Sequence, residues 1–461
     1  MNNPTNRRDF LKFSAATGMS AALGLSDCTA PATRTPRLKT EASMIEYAAP
    51  PIDLVHVGYV GVGGMGSNHV NNLLKIEGVE IRAVCDIKPN RVAAIQELCV
   101  KAGKPRPTGY SRGPTDFVRM CEEEDLDLVY TATPWEWHVP VCLAAMKNGK
   151  HAATEVPAAV TLEECWHMVD YSETYHKHCI MMENCCYDRA ELLILNMVKK
   201  GLFGEILHGE CGYLHDLRGI KFNRDKEGNN PRGEAEWRLE HTIKRNGNVY
   251  PTHGLGPVAQ CMDVNRGDRF DFLVSMSSPS RGLNLYAAQR FGPEHQLARQ
   301  AYAQGDVNTS LIRTVGGKTI IIGHDCNLPR PYSRRILIQG THGLVRKYPE
   351  EKIHVEGRTK GHGWEALEPY YQEFEHPLQK ALREQAKGAG HGGMDFIEDY
   401  RLIRALRKGL VPDMDVYDAA AWSVIAELSE MSVAHRSQPV EFPDFTRGKW
   451  KLQRPLHAME V

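Results

Sequence analysis

From residue 52 onward, apolar and polar positions follow a strand–helix rhythm. Short runs rich in β-branched and small apolar residues occur at 53–58, 80–85, 127–133, 151–155 and 179–184. Between them lie helix-period stretches at 67–76, from Trp135-Glu136-Trp137-His138 to Asn148, and at 162–175. Strands alternating with helices predict an α/β fold built on a parallel sheet with helices on both faces. After residue 204 the pattern changes. β-like runs at 205–213, 270–276, 308–314, 319–324 and 335–339 are separated by polar loops, the longest at 216–248. Two helical stretches, 392–408 and 416–435, close the chain, the second preceded by a capping region at Asp413-Met414-Asp415.

The first half carries a specific signal. Gly61-Val62-Gly63-Gly64-Met65-Gly66 is a G-x-G-x-x-G between the first strand and the first helix, and Asp86 ends the second strand 20 residues after Gly66. This is the Rossmann dinucleotide-binding context: glycines for a tight turn and close pyrophosphate approach, an acid for the adenosine ribose. The Asp86 charge would repel a 2′-phosphate, so NAD is expected rather than NADP. Ligands bind outside the carboxyl ends of such strands. That singles out Trp135 to His138, Glu155-Val156 and Glu183-Asn184.

Composition adds little until it is divided. The chain has 461 residues, 42% hydrophobic and 25% charged, with net charge −1. These values exclude a disordered or fibrous chain, and they give no basic footprint for nucleic acid. Yet residues 1–40 hold Arg7, Arg8, Lys12, Arg34, Arg37 and Lys39 against only Asp9 and Asp27. Asn6-Arg7-Arg8-Asp9-Phe10-Leu11-Lys12, followed by a mildly apolar stretch to Leu25, reads as a twin-arginine export signal. We place the signal peptide at 1–30, a Pro- and Thr-rich linker at 31–51, the NAD-binding domain at 52–187 and a substrate domain at 188–461. The twin-arginine translocon is the expected partner during export, and the destination is the periplasm or another extracytoplasmic space. Leu25-Ser26-Asp27-Cys28 loosely resembles a lipoprotein box, but Asp27 stands where a small residue belongs, so lipid anchoring at Cys28 is the weaker reading. No later run is long and apolar enough to span a bilayer, so the exported protein is expected to be soluble. Of twelve Cys, those at 85, 142, 179 and 211 lie in apolar runs and read as small buried hydrophobes. No zinc-ligand spacing is present, and no metal is expected.

This order of motifs resembles the glucose-fructose oxidoreductase / inositol dehydrogenase superfamily. That resemblance implies a second α/β domain with a large, open, mostly antiparallel sheet. The superfamily's Glu-Lys-Pro signature reads Glu155-Val156-Pro157 here, so its Lys is missing. The departures resemble a narrower branch, glycoside hydrolase family 109, NAD-dependent enzymes typified by α-N-acetylgalactosaminidase. The stretches that carry this are Gly63-Gly64-Met65-Gly66, Trp135-Glu136-Trp137-His138, Glu155-Val156-Pro157, Glu183-Asn184-Cys185-Cys186-Tyr187, Tyr250-Pro251-Thr252-His253-Gly254 and His391-Gly392-Gly393-Met394-Asp395. The resemblance implies cofactor contacts at Met65, Gly66, Asp86, Trp135, Glu136, Trp137, His138, Glu155, Val156 and Asn184. It implies sugar contacts at Tyr213, Arg232, Tyr250, Pro251, Thr252, His253 and Tyr332. Tyr250 and His253 read as a loop-borne pair.

The implied chemistry is an oxidation–elimination–addition–reduction cycle at C3, C2 and C1 of the sugar. NAD is expected to be tightly held and regenerated each turnover. His253 with Tyr250 would act on the C3 hydroxyl, Tyr213 at C2, and Glu183 as acid/base or orienting carboxylate. The competing readings are an exported NAD-dependent sugar or cyclitol oxidoreductase and a catalytically dead sugar-binding protein. Exposed sheet faces in the second domain leave room for a homo-oligomer.

Overall fold

A computed structural model describes residues 42–460. The signal sequence and Cys28 lie outside them. Six strands form the first sheet: β1 (Val55–Val60), β2 (Val79–Cys85), β3 (Thr108–Tyr110), β4 (Leu128–Thr131), β5 (His151–Thr154) and β6 (Cys179–Met181). Their order is β3-β2-β1-β4-β5-β6, and every neighbouring pair is parallel. Helices α1 (Gly64–Leu73), α2 (Pro89–Lys101), α3 (Asp116–Glu123), α4 (His138–Lys147) and α5 (Leu162–Tyr175) provide the crossovers. This is the doubly wound arrangement whose ligand crevice opens where the order reverses, between β1 and β4.

α1 starts at Gly64, three residues before the helical period predicted it. The glycines weaken the apolar pattern of its first turn, and that turn's free N–H groups face the glycine loop. α5 matches its predicted span, because Thr161 and Glu164 form a capping box at its start. The strand predicted to reach Asn184 ends at Met181, and a 3-10 turn, Asn184–Tyr187, follows.

α6 (Arg189–Lys199) leads to β7 (Ile206–Leu214), the centre of a nine-stranded sheet. Its other strands are β8 (Phe270–Ser277), β9 (Val307–Thr314), β10 (Thr319–Asp325), β11 (Leu337–Gly340), β12 (Gly343–Arg346), β13 (Lys352–Val355), β14 (Glu365–Ala366) and β15 (Val440–Glu441). The order is β14-β13-β12-β11-β7-β10-β9-β8-β15, and only β7 and β10 run parallel. In β9 buried and exposed residues alternate, so one face meets the core and the other stays open.

Residues 216–248, expected to be a long loop, contain α7 (Arg218–Lys221) and α8 (Arg238–Lys244). Packing of Phe222 and Leu239 against Leu283 and Ala287 supplies a small core that the polar sequence hides. α9 (Thr252–Cys261) follows at once. His253 is therefore the second residue of a helix, not part of a loop pair. Gly254 and Pro257 hide that helix from a propensity reading. The predicted helix 416–435 is two helices, Val416–Ser423 and Ile425–Ala434, separated at Val424. All eleven described cysteines are buried and free. No described helix is long and apolar enough to cross a membrane.

Candidate active site

A cleft of about 570 Å³ runs along the carboxyl edge of the parallel sheet. Gly61, Gly63, Gly64, Met65 and Asp86 line one end, and Glu155, Val156 and Tyr250 line the other. Asp86 and Glu155 end strands three places apart, about 14 Å across the sheet. That span suits a dinucleotide lying across the switch point.

The glycine loop fits that ligand. Gly61 has φ +81, and a Cβ on Gly66 would sit 2.0 Å from the Gly61 carbonyl oxygen. These two glycines make the turn itself. A Cβ on Gly64 would meet nothing, so the backbone there is bare toward the cleft. Asp86 holds the loop. Its Oδ2 accepts from the Val62 N–H at 3.0 Å and its Oδ1 from the Lys88 N–H at 2.8 Å.

The Trp135–His138 segment divides its work. Trp135 is buried, and Trp137 lines the cleft. Glu136 turns outward to His241 at 3.6 Å. His138 is fully buried, with Nδ1 2.8 Å from the Pro157 carbonyl and Nε2 2.9 Å from the Thr133 carbonyl. Lying between these two carbonyls, the ring ties the loops after β4 and β5 together while still lining the cleft. Asn184 is also engaged, donating to Asp395 Oδ1 at 2.8 Å.

The expected sugar residues gather beside the Glu155 end. His253 Nδ1 lies 2.8 Å from Glu183 Oε1, and its Nε2 is 3.4 Å from the Tyr250 hydroxyl. Glu183 is completely buried, and its Oε1 also accepts from the Cys185 N–H. Burial alone would raise its carboxyl, but His253 outweighs that and holds it below the ordinary value. The buried Glu183 carboxylate therefore faces the His253 ring as its charged hydrogen-bond partner. Glu183, Cys185 and His253 are close enough to share a metal ion. Burial keeps the Cys185 thiol well above its ordinary pKa despite Arg334.

Tyr213 packs with its ring tilted 4.5 Å from Tyr250 and edge-on 5.4 Å from His253, ring centre to ring centre. Its hydroxyl is hydrogen-bonded to His215 Nδ1 at 3.0 Å. Burial pushes the Tyr213 phenol up, and Arg238 is the cation that opposes this. Tyr332 closes the group, 5.0 Å from the His215 ring. Pro251 and Thr252 are buried at the start of α9 and place His253. Arg232 does not join them: its side chain is exposed and lies off the cleft.

Sequence reasoning missed two of these groups. Arg238 stacks 4.8 Å from Trp135 and 5.5 Å from Tyr250, paired with Glu234. Nothing in its local sequence marks it. His215 stands two residues from Tyr213, and that same-face spacing was a usable signal.

Comparison with known proteins speaks to the family and the fold. Residues 187–452 match the family profile "Glycosyl hydrolase 109, C-terminal domain", and residues 55–183 match "Oxidoreductase family, NAD-binding Rossmann fold". Residues 4–24 match the twin-arginine translocation pathway signal sequence. A glycosyl hydrolase family 109 protein of Shewanella sp. (strain W3-18-1) is 46% identical over 459 residues, 98% of each chain. An alpha-N-acetylgalactosaminidase of Shewanella oneidensis is 45% identical, again over 98% of each. Among solved structures, a levoglucosan dehydrogenase complex with NADH and levoglucosan shares the fold, with TM-score 0.64 and 19% identity. It covers 85% of this chain and 100% of its own. The apo scyllo-inositol dehydrogenase of Lactobacillus casei does so at TM-score 0.60 and 13% identity, covering 85% and 99%.

Proposed function

The chain belongs to glycosyl hydrolase family 109, and on that premise we propose that it is an α-N-acetylgalactosaminidase working through oxidation, elimination, addition and reduction. The observation that carries this reading is the meeting of two proton-transfer pairs, His253–Glu183 and Tyr213–His215, at one end of a dinucleotide cleft. A relative 45% identical over nearly the whole chain bears that activity in its name.

The glycine loop, Asp86 and the Trp135 to Glu155 edge would hold NAD, which would supply the electron acceptor for oxidising the sugar C3 hydroxyl to a ketone and return the electrons at the end. The protein's own groups move the protons. His253 donates a hydrogen bond from its Nδ1–H to Glu183, which leaves Nε2 to take the C3 hydroxyl proton. The buried Glu183 charge stabilises the resulting imidazolium. A C3 ketone acidifies the C2 proton, and Tyr213 takes it as its own phenolic proton passes to His215. Arg238 offsets the negative charge that then develops. Electrons from the C2–H bond expel the aglycone from C1. Water adds at C1 of the resulting enone and its proton goes to the departed aglycone oxyanion. Tyr213 returns the proton to C2 as His215 gives back the phenolic one, and His253 returns its proton to the C3 oxygen. No oxocarbenium ion forms, so no flanking carboxylate pair is required.

The cycle regenerates its cofactor. This matters for a protein carrying a twin-arginine signal, because folded export lets NAD travel inside the protein. Purified protein containing NAD is expected to release p-nitrophenol from p-nitrophenyl α-N-acetylgalactosaminide without added NAD. No release from NAD-occupied protein would overturn the glycosidase reading. Net reduction of the cofactor by free sugars would then favour an exported sugar or cyclitol oxidoreductase.

A further inference from the structure

His69 sits on α1, fully buried, six residues from Gly63 of the glycine loop. Its Nε2 is 2.6 Å from Glu155 Oε1, and its Nδ1 is 2.9 Å from both oxygens of Asp399. The Tyr130 hydroxyl lies 3.1 Å from Nδ1, and Asn72 donates to Asp399 Oδ2 at 3.0 Å. A ring with a carboxylate on each nitrogen satisfies both only by donating from both. Burial alone would favour the neutral ring, but Asp399 and Glu155 outweigh it and hold His69 well above its ordinary pKa.

Only Glu155 among these groups reaches the cleft. Where the superfamily signature places a Lys beside this acid, the chain has Val156. The cation comes from behind the sheet edge instead. Asp399 reaches it from the helix Met394–Lys408, which also sends Asp395 to Asn68 and Asn184 at 2.8 Å each. Gly390 makes room for this second tie, since a Cβ there would sit 2.1 Å from Asn68 Nδ2. The other ionisable groups around the ring are Tyr59 on β1, Asp395 and Glu398 on the same C-terminal helix, and His391 just before it; the Tyr59 and Glu398 oxygens have no hydrogen-bond partner.

We infer that His69 is a positioning residue of the cofactor cleft: anchored by Asp399, it fixes the Glu155 carboxylate as a rigid acceptor that retains the dinucleotide. The helix Met394–Lys408, far from the glycine loop in sequence, is thereby part of the retention device. A fixed acceptor loses less freedom on binding than a mobile one, so the bound ligand dissociates more slowly. This rests on the reading that NAD occupies the cleft.

The test is a double-mutant cycle on the rate at which NAD leaves the purified, NAD-loaded protein, with no glycoside present. Glu155→Gln, His69→Gln and Asp399→Asn are each expected to speed release about tenfold, as loss of a hydrogen bond to a charged group would. His69→Gln combined with Glu155→Gln should release no faster than Glu155→Gln alone. Paired with Asp86→Asn at the other end of the cleft, His69→Gln should multiply its effect. A purely structural His69 would multiply with both. That result, or an unchanged release rate in His69→Gln, would overturn the inference. If His69→Gln does not fold, Asp399→Asn, which keeps side-chain volume, completes the same cycle with Glu155→Gln. Protein that takes up no NAD would overturn both the inference and the proposed function. NAD-loaded protein inactive on glycosides would overturn only the function.

Discussion

Tyr213 shows how burial and contact set a residue's chemistry. It is 7% exposed, its phenol is pushed up by burial, and its hydroxyl already points at a ring nitrogen. Such a phenol ionises only when its proton has somewhere to go, and in the proposed mechanism His215 is that place. Tyr213→Phe is expected to slow exchange of the sugar C2 proton with deuterated solvent by about 100-fold or more. Exchange at the wild-type rate, followed by NMR, would remove Tyr213 from the role. Glu183→Gln keeps the shape of the His253 partner and removes its charge. Turnover should fall by about 100-fold while NAD content stays unchanged, because Glu183 acts through His253. The glycine loop and Asp86 were legible at this scale because their chemistry is written in consecutive residues. His138 also lines the cleft, but what its ring does there was not legible. Its partners are backbone carbonyls of Thr133 and Pro157, and no residue type announces a carbonyl's direction.

Among the elements, α9 and β7 decide whether the two proton-transfer pairs meet. A Cβ on Gly254 would lie 2.4 Å from the Gly212 nitrogen, and one on Gly212 would lie 2.6 Å from the Gly323 oxygen. Three backbones therefore touch where α9 crosses β7 and β10, bringing His253 to Tyr213. Gly254→Ala is expected to cost about 1–3 kcal/mol in chemical denaturation. It should also lower glycosidase activity more than the distant Thr161→Ala, which removes a helix cap for about 1 kcal/mol. Equal activity in the two variants would show that the close contact is only structural. The main helices and strands were readable because their periodicity is local. The insert at 216–248 was not, because its short helices owe their stability to a small core contributed by residues 283 and 287.

Over the whole molecule, buried histidines set the response to acid. Burial lowers His151 to about 3, His178 to about 4, His324 to about 3 and His376 to about 4. Unfolded histidine titrates near 6.5. Between that value and the folded one, the unfolded chain binds more protons, so stability falls as pH drops from about 6.5 toward 4. Each group contributes up to ~1.4 kcal/mol per pH unit in that window. His69 and His391, raised by their carboxylates, act in the other sense, and their contribution is lost as pH rises through their folded values. Thermal midpoints should therefore decline steeply below about pH 6, and His178→Gln should flatten that decline. A variant with the wild-type slope would show that His178 is not among the titrating groups.

The twin-arginine signal, the dinucleotide half and its acid could be read from the chain alone, since each depends on residues adjacent or periodic in sequence. The meeting of ionisable groups could not. Glu155 joins His69 across 86 positions and His69 joins Asp399 across 330. Arg238, not Arg232, turns into the cleft. Such pairings follow from the order of strands and the return of the C-terminal helix, and a contact that long in sequence leaves no local pattern behind it.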